Sequence, residues 1–264
     1  MSAGMCDVLE LAFGAHGPRA TPSRDTGVPG GTPRTALVTG DGRVSGHVLI
    51  LSAVTAAADL DVRVLFYTHT PIQALPGPLQ EAMSRLGPDR LKKIRFIYPG
   101  CVEDLLQEVA SLHQMASAPS PPPSLILVDG LEWYLQGREE ESAAARLAAL
   151  LCDTAAFLTR DLDRRGEGRG PCRLIVSFHP DRDGRGPGEA VLSVLDRYFQ
   201  VKCGLDEAGA EGSRREWHVC MSGPSSSESD VGKRWHLVVE DNGAMEFREI
   251  ANRATESCEK YDKS

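Results

Sequence analysis

"TALVTGDGRVSGHVLIL", residues 35–51, runs from a β-prone segment through a glycine turn into an apolar, helix-compatible segment. Strand, glycine turn and helix in that order leave free backbone N–H groups at a helix start, where phosphates bind. A phosphate-binding loop of the form G-x-x-x-x-G-K-[ST] adds a lysine for the outer phosphates and a hydroxyl for Mg²⁺. On that frame Gly40 takes the first glycine place, while Ser45, Gly46 and His47 stand where the second glycine, the lysine and the hydroxyl belong. The expected junction keeps the shape of the loop without its chemistry. Neutral His47 could still hydrogen-bond a phosphate, so ATP and Mg²⁺ binding stay open.

Outward from this junction, strand and helix patterns alternate. "VRVLFY" (62–67), "KKIRFIY" (92–98), "SLILVDG" (124–130) and "CRLIVSF" (172–178) have strand length and composition. "CVEDLLQEVASLH" (101–113), the long Ala/Leu-rich run 141–162 and "EAVLSVLDRYF" (189–199) have helical spacing. Such alternation predicts a mostly parallel sheet covered on both faces. After residue 204, "REWHVCMS", "KRWHLVVE" and "AMEFREI" read as short antiparallel strands. The expected organisation is a flexible leader over 1–34, a core over 35–204, an antiparallel extension over 205–251 and a charged tail over 252–264. "MCDVLELAF" within the leader reads either as a short amphipathic docking helix or as a frayed end.

"LILVDG" (125–130) places Asp129 at the end of an aliphatic strand, as in a Walker-B segment whose aspartate faces a metal or its water. Seven cysteines without a CxxC pair favour reduced thiols in a cytosolic or nuclear protein. No zinc site is expected, since His218 and Cys220 read as alternate residues of one strand. No apolar run reaches the ~20 residues of a membrane span, so no membrane is expected as a partner. The net charge of −8 argues against indiscriminate nucleic-acid binding but leaves room for a local basic patch.

"RLKKIRFIYPG", "SLILVDGLEWYL", "AALLCDTAAF" and "VLDRYF", in this order, resemble the SWIM-type zinc-finger-protein-associated ATPases, divergent RecA-like recombinase paralogues of the animal Shu complex. The resemblance covers roughly residues 35–204. It implies a RecA-like P-loop domain and a heterodimer with a SWIM-domain zinc-finger protein. It also implies single-stranded DNA binding, contact with the strand-exchange recombinase and its paralogues, and a nuclear role in homologous recombination and double-strand-break repair. The chain departs from the family pattern at Ser45, Gly46 and His47. It also lacks a glutamate in "LFYTHTP" (65–71), where a RecA-type enzyme needs one to activate water.

Two stretches are candidates for DNA contact. "RLGPDRLKKIR" (85–95), with a balance of +4, includes Arg90, Lys92, Lys93 and Arg95. "HPDRDGRGPGE" (179–189) sets Arg182 and Arg185 among glycines, although its balance is −1. Either could equally be a solvated surface. Phe96 and Tyr98 are expected to point into the sheet, and Trp133 and Tyr134 to pack in the interior, with a partner-helix or base-stacking role as the alternative. The leading expectation is a recombination accessory factor with weak or no ATPase activity. The alternatives are a DNA-stimulated ATPase and a partner-stabilising scaffold that touches no DNA.

Overall fold

The computed structural model describes residues 7–16, 34–72, 75–117, 121–137, 140–166, 170–180, 188–211, 214–223 and 233–250. Its centre is a nine-stranded sheet in the order β3-β2-β4-β5-β1-β6-β7-β8-β9. The strands are β1 (Arg34–Gly40), β2 (Val64–Thr68), β3 (Ile94–Ile97), β4 (Leu125–Asp129), β5 (Arg173–Phe178), β6 (Val201–Glu211), β7 (Arg214–Ser222), β8 (Arg234–Val239) and β9 (Met245–Ile250). The first six pair in parallel; β7, β8 and β9 continue from β6 as an antiparallel meander. This is the expected fold class. The expected boundary at 204/205 falls inside β6, which is both the last parallel strand and the first of the meander.

The central strands are apolar on both sides because helices cover both. Against one face lie Ala36, Val38, Val64, Phe66, Leu125 and Leu127, packed under α2 (Gly42–Asp59), with α3 (Gly77–Arg85) and α4 (Pro88–Leu91) on the same side. Helix α2 has no charged residue between Arg43 and Asp59, and its residues are buried nearly all round. The other face carries Leu65, Tyr67, Ile126, Val128, Leu174 and Val176 under α5 (Val102–Ser111), α6 (Glu140–Arg165) and α7 (Glu189–Leu195). Among the described residues α6 alone has the length and hydropathy of a membrane span. Its Leu147, Leu151 and Leu158 are buried against the sheet, as a core helix requires.

Part of the expected flexible leader belongs to this body. Residues Asp7–Ala15 form α1, with Val8, Leu9, Ala12 and Phe13 buried. The Phe13 ring stacks on Phe247 at 4.4 Å and meets Trp235 edge-on at 5.2 Å. The Phe247 N–H donates to the His16 carbonyl at 3.1 Å, and Lys233 pairs with Glu10 at 2.6 Å. Helix α1 therefore ties the start of the chain to the meander, a long-range partnership that no local pattern announces. Residues 17–33 and 252–264 lie outside the described residues.

Candidate functional site

The carboxyl ends of β1, β4 and β5 converge where a doubly wound sheet places its ligands. The first component is the β1–α2 junction. Strand β1 ends at Gly40, helix α2 begins at Gly42, and Asp41 alone stands between them. The expected junction with the shape of a phosphate-binding loop is not found: residues 42–47 are helical instead. Asp41 explains why: its Oδ1 accepts the Arg43 N–H at 2.9 Å and the Val44 N–H at 3.0 Å, capping the helix. The N–H groups that would cradle a phosphate thus already serve a carboxylate. The Ser45 hydroxyl is spent as well, donating to the Gly42 carbonyl at 3.1 Å.

Gly40 has φ +126°, and a Cβ there would lie 2.1 Å from the Leu205 carbonyl oxygen. Only glycine lets β1 run this close to β6. Gly46, on the frame of the missing lysine, faces the metal-side aspartate: a Cβ there would lie 3.4 Å from both Asp129 oxygens. His47 is half-buried, and burial together with Arg43 holds its imidazole below the usual range, hence neutral. The segment has the chain position of a phosphate-binding loop but the shape of a capped helix start.

The second component is the end of β4, where Asp129 is the last residue of the strand. Ser177 Oγ donates to Asp129 Oδ1 at 3.0 Å and itself accepts the Gly130 N–H at 2.8 Å. Thr68 Oγ1, at the end of β2, lies 3.4 Å from Asp129 Oδ2. Burial raises the Asp129 carboxyl above its ordinary value, and the two hydroxyls only partly offset this. Glu132 was missed in the sequence, although it lies just three residues beyond Asp129. It accepts the His179 N–H at 3.0 Å, and its own carboxyl is pushed up by burial and by Asp129. His179 links the two components, since its Nδ1–H donates to the Gly40 carbonyl. The segment "LFYTHTP" places a threonine, not a carboxylate, beside Asp129.

A cleft of about 650 Å³ opens between the start of α2 and the meander. Its cationic and imidazole groups are Arg43, His47, His179 and Arg215, opposed by Asp41, Glu240 and Asp241. This balance, with Asp41 seated at the helix start, does not fit a triphosphate. A Mg²⁺ ion would find Asp129 but no hydroxyl from α2, and among the described residues no group of three His, Cys, Asp or Glu side chains could hold a metal.

The basic cluster stands elsewhere. Strand β3 is the outer edge of the sheet, four strands from β1 and hence about 19 Å away. Arg90, Lys92 and Lys93 precede β3, at the end of the sheet opposite Asp129. Lys93 pairs with Asp61, Lys92 lies 3.8 Å from Asp89, and Arg85 pairs with Glu81 at 2.6 Å. Arg90 and Arg95 are exposed and have no carboxylate partner among the described residues. Tyr98, expected in the sheet, is 46% exposed; Phe96 is partly buried. Tyr134 is buried as expected, whereas Trp133 is 54% exposed and stacks on His69. Its indole lies over Gly130, at φ +70°, where a Cβ would come within 2.6 Å of it. Arg182 and Arg185 lie outside the described residues.

Comparison with known proteins agrees with the fold and sharpens the contrast at the site. No family model matches the chain. ATPase SWSAP1 of Homo sapiens is 36% identical over 208 residues, covering 73% of this chain and 86% of the relative. ATPase SWSAP1 of Mus musculus is 36% identical over 205 residues, covering 72% and 67%. Among solved structures, the RadB recombinase superposes with a TM-score of 0.53 at 14% identity, covering 81% of this chain and 90% of its own. A KaiC-like protein from Pyrococcus horikoshii superposes with a TM-score of 0.50 at 14% identity, covering 86% and 95%. These two likenesses speak for the fold, and the identity to the curated relatives speaks for kinship: the chain belongs to the SWSAP1 ATPase family, as a divergent RecA-like paralogue.

Proposed function

We propose that this chain is a non-hydrolysing accessory factor of homologous recombination, acting in the nucleus in the repair of double-strand breaks. It binds single-stranded DNA together with a SWIM-domain zinc-finger protein and supports the strand-exchange recombinase and its paralogues. The observation that carries this reading is the capped β1–α2 junction in a member of an ATPase family: Asp41 takes the phosphate-binding amides, and α2 presents Gly46, with neither a lysine nor a hydroxyl, to Asp129. Losing the cation from a triphosphate site forgoes several kcal/mol of transition-state stabilisation. A protein built this way contributes surfaces rather than turnover.

For DNA, Arg90 and Arg95 are the leading contacts, because Lys92 and Lys93 already have acidic neighbours. Those same pairs favour the second reading, a scaffold that stabilises its partner without touching DNA. Salt titration of single-strand binding, for the chain alone and with the SWIM-domain protein, separates the two. Phosphate contacts give a slope of about −0.7 per contact in log K against log salt. Replacing Arg90, Lys92, Lys93 and Arg95 by alanine makes the slope shallower if they touch the backbone. An unchanged slope leaves the cluster a solvated face and moves attention to Arg182 and Arg185. Failure of the two proteins to co-purify removes the heterodimer from the proposal.

A further inference from the structure

Helix α2 ends on a residue that suits neither its backbone nor its dipole. The Leu60 N–H closes the helix on the Ala56 carbonyl at 3.2 Å, and the Val62 N–H reaches the same oxygen at 3.4 Å. Between them stands Asp61 at φ +54°, the one non-glycine residue with positive φ among the described residues. Glycine is the usual occupant of this position, because a Cβ is strained there. Asp61 and Asp59 also place two carboxylates at the negative end of the helix dipole, and the last turn holds no basic residue. A residue that costs the fold twice is explained by what its side chain does elsewhere.

Its partner lies 32 residues along the chain. The Lys93 ammonium donates to the Asp61 carboxylate and, at 3.2 Å, to the Asp61 carbonyl. The Lys93 carbonyl accepts the Val64 N–H at 2.9 Å, so the start of the β2–β3 ladder fixes where this side chain begins. Lys93 is consequently drawn in: its side chain is 23% exposed, against 78% for Lys92 beside it. An ion pair this near the surface adds little stability. It does change the field that a polyanion meets. With Asp61 and Glu81 included, the balance of the 85–95 stretch falls from +4 to +2, one unit for each carboxylate. Arg90 on α4 and Arg95 on β3 stay exposed, while Lys93 is held back.

We propose that Asp61 is an electrostatic latch on the basic edge at β3, holding Lys93 out of contact and lowering the affinity of that edge for a polyanion, an inference that rests on the proposed role of the edge in single-strand binding. Arg90 and Arg95 make the first phosphate contacts. Lys93 joins them only when a bound phosphate displaces the Asp61 carboxylate from its ammonium. Asp61 is a positioning residue: it acts on the strand through Lys93 and touches no phosphate itself.

The test uses the full chain, alone and with the SWIM-domain protein, and oligo(dT) as the probe. Asp61→Asn keeps a side chain that tolerates the left-handed turn and removes the charge, whereas Asp61→Gly relaxes the turn and removes the whole latch. Both bind oligo(dT) about three- to tenfold tighter at low salt, with a slope of log K against log salt steeper by about 0.7, the value of one further phosphate contact. Adding Lys93→Ala to either variant cancels the gain. Amine acetylation read by mass spectrometry follows the latch without DNA: Lys93 labels more slowly than Lys92 in the native chain and catches up in Asp61→Asn, with the melting temperature unchanged. Native affinity and slope in Asp61→Asn overturn the latch, and the DNA reading survives that result if alanine at Arg90, Lys92, Lys93 and Arg95 still makes the slope shallower. A gain that persists after Lys93→Ala overturns the latch as well, since the charge then acts on the edge without Lys93. Equal labelling of Lys92 and Lys93 in the native chain overturns it whatever the DNA titrations show. Absence of oligo(dT) binding by both the native chain and Asp61→Asn removes the latch and the DNA reading together.

Discussion

The β1–α2 junction and the carboxyl end of β4 lie at the same edge of the sheet, and they are held in different ways. At β4, Asp129 keeps its place at the strand end and is held by hydroxyls from two neighbouring strands. At β1, Asp41 alone separates the strand from the helix, and its carboxylate caps the helix start. The difference follows from what each half needs. A strand end is fixed by the sheet whatever ligand is bound. A phosphate loop is a string of backbone N–H groups with no partner of its own, and once the lysine goes, a capping carboxylate satisfies them more simply. The end of β4 is held by the fold itself, whereas a phosphate loop would be held by its ligand.

The sharpest way to break this contrast is at Gly40. Gly40→Ala combines a strained backbone with a collision against Leu205, and should cost about 3 kcal/mol or more. Thermal melting would show that as a fall of roughly 6–12 °C in Tm. A loss below about 0.5 kcal/mol would mean that β1 does not approach β6 as described. Next in size is Asp41→Ala, which removes the cap at a cost of about 1 kcal/mol. It also frees the Arg43 and Val44 amides, so phosphate or sulfate should stabilise this variant more than the native chain. Equal stabilisation of both would deny that Asp41 fills an anion site.

Asp129 offers a smaller effect with a defined sign. Its carboxyl is raised by burial, so the folded state prefers it protonated. The stability it contributes is complete below the unfolded value of about 3.9 and is lost as pH rises through the elevated folded value. Asp129→Asn should flatten this part of the stability–pH curve, leaving a remnant of the same sign from Glu132. An unchanged curve would place Asp129 in a wetter setting. The smallest expected effect is none. Writing Gly-Lys-Thr at 45–47 should leave nucleotide affinity as it is, because those positions are in a helix and cannot reopen a loop. Tighter binding after that change would restore the junction to the status of a relic loop.

Much of this was legible from residues alone. The parallel core could be read because buried strands announce themselves as aliphatic runs, and Asp129 because a lone acid ending such a run sits at a sheet edge. The junction misled because glycines suit a loop and a helix start equally. Asp41 was the discriminating signal, a capping residue directly ahead of a helical run. Of the two readings of residues 5–13, the docking helix is the one the structure bears out, while its partners, Trp235 and Phe247, were hidden because they lie more than 200 residues away in the chain. Trp133 and Tyr98 were assigned inward by hydrophobicity, yet exposure depends on which loop or edge carries them.

The central claim, that this family member has closed its phosphate site, is tested most directly by phosphate release from Mg-ATP. The measurement compares the native chain with Asp129→Ala, each with and without single-stranded DNA and each alone and with the SWIM-domain protein. Release by the native chain is expected to be no faster than by Asp129→Ala under every condition. DNA-stimulated release that Asp129→Ala abolishes would contradict it, because that result requires a working metal and phosphate site at the ends of β1 and β4.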